Sequence, residues 1–83
     1  MDLNQIEKSV QAVVDPIEKL NSDLGWEHIR DLIAVREWKV ALEILFDNLC
    51  EDGRPLPREL CAELVSVGKL LGIDSSYWEG LEK

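Results

Sequence analysis

The sequence predicts an all-α fold: one domain over residues 1–83, a compact bundle of about five short helices around a central apolar helix at about 38–52. Three observations predict it. Apolar residues recur at helical spacing along most of the chain. Glycines, prolines and capping residues stand where that periodicity stops. Hairpin and strand patterns are weak, and short connections between helical stretches suit antiparallel neighbours.

The first helix begins near residue 3 and carries Leu3, Ile6, Val10 and Val13 or Val14 on one side. Asn4, Gln5, Glu7, Lys8 and Gln11 face outward. Asp15-Pro16-Ile17-Glu18 then admits two readings. In one, a new helix starts, with Asp15 as N-cap, Pro16 at the first position and Glu18 completing a capping box. In the other, Pro16 kinks one longer helix. Ile17, Leu20 and Leu24 are expected to continue the buried face.

Asn21-Ser22-Asp23 reads as a break, with Ser22 or Asn21 capping the next helix. Gly25 weakens any helix through it. Trp26, Ile29, Leu32 and Ile33 then point inward, and Glu27, Arg30 and Asp31 point out. Val35-Arg36-Glu37 forms a tight turn into the central helix. There, Trp38, Ala41, Leu42, Leu45 and Leu49 share one face, which Val40 and Ile44 widen. Lys39, Glu43 and Asp47 form a narrow polar stripe opposite. Gly53 is the expected C′ residue.

Arg54-Pro55-Leu56-Pro57 reads as an extended, stiffened loop. A helix comes next over about 58–71, with Leu60, Leu64, Val67 and Leu71 inward and Cys61 and Val65 beside them. Gly72 and Ile73 suit a Schellman ending. Asp74 caps a last short helix holding Tyr77, Trp78 and Leu81. The aromatic pair reads first as a lid on the core and second as an interface anchor.

Composition narrows the function. A chain of 83 residues buries only about 60–65% of its unfolded surface, which favours surface binding over a deep catalytic cleft. Its net charge of −8 disfavours direct contact with nucleic acid or an anionic membrane, since both need Lys and Arg. The same charge suits a basic protein partner, although acidity also serves plain solubility. No apolar run approaches the roughly 18 residues of a membrane span, and Met1-Asp2-Leu3-Asn4-Gln5 lacks a signal pattern. A cytoplasmic protein is therefore expected. Cys50 and Cys61 fit a reducing compartment as buried thiols, close to each other across the Pro loop. One histidine, His28, and two scattered cysteines do not make a catalytic or metal-ligating set, so neither an enzyme nor a cofactor is expected.

The candidate binding residues lie on the central helix. Glu43, Asp47 and Glu51 are spaced at i, i+4 and i+8, where like charges repel and do nothing for the isolated helix. Glu51 and Asp52 also oppose the helix macrodipole. Phe46 falls at the same edge by angle and is expected to supply an apolar centre. The alternative is a solvated face that screening makes harmless.

Ala41-Leu42-Glu43-Ile44-Leu45-Phe46-Asp47-Asn48-Leu49 resembles the Ala-Leu-Glu-x-Leu-x-Asp-Asn-Leu stretch of the MafI-type immunity proteins. A similar Pro-Leu loop comes after it, here Pro55-Leu56, and Leu71-Gly72-Ile73-Asp74-Ser75-Ser76-Tyr77-Trp78 resembles the family's Leu-Gly-Leu-Asp-x-x-x-Trp ending. The likeness covers about residues 29 to 81. It implies an all-helical, non-enzymatic domain that binds and blocks a cognate toxin of polymorphic or contact-dependent growth inhibition systems. Several toxins of this kind are EndoU-like ribonucleases, which makes a basic C-terminal nuclease domain the implied partner. The likeness also adds Asn48, beside Asp47, to the candidate set. Where the family has Ala-Gly-Glu this chain has Val35-Arg36-Glu37, and a non-Gly residue at positive φ is costly, which leaves open a differently built turn. Pro57 stands where relatives often carry a capping Ser or Thr. An acidic helical adaptor without a toxin partner is the alternative function, and a linked toxin reading frame would discriminate between the two.

Overall fold

The Asp15-Pro16 step does not break the first helix. In the computed structural model, which describes residues 2–53 and 55–81, α1 runs without interruption from Leu3–Leu20. Asp2 caps it, its Oδ1 accepting from the Gln5 N–H at 2.9 Å. An interior proline forfeits a hydrogen bond at a cost of about 3 kcal/mol. Two features offset that loss. Val10, Val13, Val14 and Ile17 form one continuous buried face through it. Arg30 of α2, Trp26–Ala34, reaches the carboxylates flanking Pro16. Its Nη2 lies 2.7 Å from Asp15 Oδ1, and its Nε donates to Glu18 Oε1 at 2.9 Å. Asp15 and Glu18 therefore pair with Arg30 and do not cap a new helix. Leu20 is 55% exposed and leaves the buried face that Ile17 and Leu24 keep.

The break at residues 21–25 is held by polar contacts. Asn21 is buried, and its backbone N–H donates to Ile17 O at 2.9 Å. Its carbonyl accepts from Trp26 Nε1 at 2.6 Å. Gly25 adopts φ 76° and admits the chain to α2. At the far end of α2, Arg36 N–H bonds Ile33 O at 3.1 Å and Glu37 N–H bonds Leu32 O at 2.9 Å. That pair of bonds is a Schellman motif, and Arg36 occupies its left-handed position with φ 64°. The turn is thus the kind a glycine would make, built with an arginine.

The central helix, α3, is Trp38–Asp52. Trp38, Ala41, Leu42, Leu45 and Leu49 are buried as their spacing predicts. The apolar girth is narrower than expected at its start, since Val40 is exposed and Ile44 half-buried. Gly53 at φ 75° ends the helix, its N–H bonding Leu49 O at 3.1 Å. The Arg54 end of the next loop lies outside the described residues. Beyond the loop is α4, Arg58–Leu70, ended by a Schellman motif: Gly72 N–H to Lys69 O at 3.1 Å and Ile73 N–H to Gly68 O at 2.9 Å. The last expected helix is only a 3₁₀ turn, Ser75–Tyr77, capped by Asp74 Oδ1 accepting from the Ser76 N–H at 2.8 Å. Among the described residues the fold is therefore four α-helices and one 3₁₀ turn, with no strand. The count falls short of five because α1 continues through Pro16.

α2 packs on α3, α1 packs on α4, and the 3₁₀ turn lies against α3. Trp78, 4% exposed, closes the core as a lid. Its ring meets Phe46 with centroids 5.5 Å apart and planes at 48°. Both rings press on α4 at Gly68, where a Cβ would stand 2.9 Å from Trp78 Cζ3 and 3.3 Å from Phe46 Cε2.

Two substitutions test this packing. Gly68→Ala gains about 1 kcal/mol of helix propensity but drives two buried rings apart, so a net loss of about 1–2 kcal/mol is expected in urea unfolding. Arg36→Gly removes left-handed strain of about 1–2 kcal/mol and restores part of that as unfolded-state entropy. A net gain on the order of 0.5–1 kcal/mol is expected, and a loss would show that Arg36 is not strained.

Candidate functional site

An acidic face forms where the C-terminal segment folds back over α3. Glu43 is half-buried, and Asp47, Glu51 and Asp52 are exposed along the helix. Gly72 and Asp74 turn the chain so that Trp78 covers Phe46. The residue before the lid, Tyr77, then falls beside the acids. Its phenol is held above the ordinary tyrosine range, chiefly by the Glu43 carboxylate, then by partial burial, then by Asp47 and Asp74. Asp74 itself is shifted down because its carboxylate accepts from the Ser76 backbone N–H. Glu43, Asp47, Asp74 and Tyr77 therefore share one electrostatic neighbourhood. Toward the end of α3, Glu51 and Asp52 line a shallow cleft with Asp23, Leu24 and Asn48.

Two expected site residues are placed otherwise. Phe46 is 0% exposed and cannot be the apolar centre of a surface contact. Its angle on an isolated helix does put it beside the acids, but Trp78 and Gly68 enclose it. Asn48 is half-buried, and its Nδ2 donates to Leu24 O at 2.9 Å, so its amide pins the 21–25 loop to α3. Tyr77, Asp74 and Asp23 are the residues that helix periodicity alone does not bring to this face. The usable signal for the first two is their place next to Trp78: a lid on the central helix carries its neighbours with it.

The two cysteines also differ from expectation. Cys50 is exposed and Cys61 half-buried, so neither is a buried core thiol. They do approach the same cleft beside the Pro loop. Among the described residues, no group of three or more His, Cys, Asp or Glu is placed to hold a metal ion. No helix there is long and apolar enough to cross a membrane.

A face of carboxylates with one phenol can accept charge-assisted hydrogen bonds from Lys and Arg, and the tyrosine ring can take a cation on its face. Comparison with protein-family models, with curated proteins and with solved structures returned no match for this chain.

Tyr77 is the only tyrosine in the chain, so its ionisation can be followed by ultraviolet difference absorbance. Glu43→Gln should lower the phenol's titration midpoint by removing the carboxylate that contributes most to its upward shift. Because the fold holds the phenol protonated, the unfolded chain releases that proton first as pH climbs past about 10. The stabilisation is complete below that pH and is lost as pH rises through the folded value. An unmoved midpoint in Glu43→Gln would separate Glu43 from Tyr77.

Proposed function

We propose that this chain is an immunity protein, a non-enzymatic cytoplasmic domain that neutralises a cognate bacterial toxin domain by binding it directly. The observation that carries the reading is the acidic face: Glu43, Asp47, Glu51 and Asp52 on one helix, extended by Asp74 and Tyr77, in a chain of net charge −8. Nucleases hold their substrates through Lys and Arg. An acidic helical surface is complementary to such a groove and speeds encounter with it. The resemblance of residues 41–49, 55–56 and 71–78 to MafI-type immunity proteins supports the same reading and suggests an EndoU-like ribonuclease as the toxin.

The proposed contact is polar in its stripe and aromatic at its edge. Glu43, Asp47, Glu51 and Asp52 receive the toxin's basic side chains. Tyr77 takes the role that Phe46, enclosed in the core, is unable to play. Asn48 contributes by holding the loop before α2 in place, not by reaching the toxin.

Charge reversal tests the proposal against an EndoU-like ribonuclease domain as the cognate toxin it requires. Asp47→Lys, and then Asp47→Lys with Glu43→Lys, should melt near the parent temperature. Each desolvated pair lost should cost about 2–5 kcal/mol of affinity, with the larger effect at low salt. A folded double reversal that binds within about 0.5 kcal/mol of the parent would place the toxin on another surface.

A further inference from the structure

Cys50 lies in the last turn of α3 and Cys61 in the first turn of α4. Both line one cleft of about 210 Å³, together with Leu49, Leu56, Gly80 and Leu81. Each thiol also faces a carbonyl of the same C-terminal segment. Cys50 Sγ is 3.8 Å from Tyr77 O, and Cys61 Sγ is 3.9 Å from Leu81 O. Gly80 puts no side chain into the space beside Cys50. Pro55 also lines the cleft, so both thiols and the end of the Pro loop meet in one place.

We propose that Cys50 and Cys61 are a dithiol pair, oxidised to an intramolecular disulfide by a low-molecular-weight disulfide such as glutathione disulfide. The exposed Cys50 reacts first. Its thiolate attacks one sulfur of the oxidant, expelling one thiolate and forming a mixed disulfide. The Cys61 thiolate then attacks Cys50 Sγ and expels the second. The protein loses two electrons and two protons, and the oxidant becomes two thiols. The new bond staples the end of α3 to the start of α4. It also draws both sulfurs away from the Tyr77 and Leu81 carbonyls they face in the reduced protein. The step is reversible by excess thiol and independent of any toxin.

The experiment uses the full chain, reduced and then treated with glutathione disulfide at micromolar protein. The expected product is a monomer about 2 Da lighter, with trypsin releasing residues 40–58 and 59–69 as one linked peptide. The ring closure should run at least about tenfold faster in native protein than in chain unfolded in urea, because the fold presets the thiols. Cys61→Ser should stop at one mixed disulfide on Cys50. Three results would overturn the pairing: two mixed disulfides per chain, a dimer linked through Cys50, or closure no faster in the native protein than in the unfolded one.

Discussion

The close approach at Gly68 governs the architecture around α3. Two large rings, Phe46 and Trp78, meet over a helix backbone that carries no side chain there. Any Cβ would force one ring outward, and each ring fills space the other leaves. Phe46 is otherwise a residue on the wrong side of α3, next to the charged stripe. The lid converts it from a surface liability into a core residue at 0% exposure. A chain this short has little core to spare, so one buried aromatic pair is a large share of its stability.

That constraint also sets the surface. For Trp78 to reach Phe46, the chain must reverse at Gly72 and turn again at Asp74. Tyr77 is then delivered to Glu43 and Asp47. The acidic face is therefore a by-product of core closure as well as of helix spacing. Beside the cleft that Glu51 and Asp52 line, polar side chains do comparable work. The side chains of Asn48, Asn21 and Trp26 each donate to a backbone carbonyl, those of Leu24, Ile17 and Asn21 respectively, so the 21–25 loop is tied to both α1 and α3.

The helical class, the inward residues of α3, the glycine ends at Gly53 and Gly72 and the Trp78 lid are all legible from periodicity and capping rules. Those rules are local, and they fail where a distant element decides. Pro16 looks like a helix start because Asp15 and Glu18 form a plausible capping box; Arg30, fifteen residues from Asp15, claims both carboxylates. Arg36 looks unsuited to a left-handed turn, yet the Schellman bonds to Leu32 and Ile33 hold it there. The candidate site divides in the same way. Glu43, Asp47, Glu51 and Asp52 reach solvent to differing degrees as helical angle requires. Phe46 and Asn48 obey the same angle but are taken by the lid and by Leu24 O.

The five residues from Tyr77 to Leu81 connect features that the helices alone keep apart. The Tyr77 phenol lies in the field of Glu43 and Asp47, while its carbonyl faces the Cys50 thiol. Trp78 sits on Phe46, and the Leu81 carbonyl faces Cys61. The segment turns on its own backbone bonds, among them Glu79 N–H to Ser75 O at 3.2 Å and Leu81 N–H to Trp78 O at 2.9 Å. Its position on α3 is set by the ring it buries against Phe46 and Gly68. The thiol cleft and the acids of α3 therefore border the same short stretch. Trp78, packed on Phe46 and against Gly68, ties that stretch to the core between them.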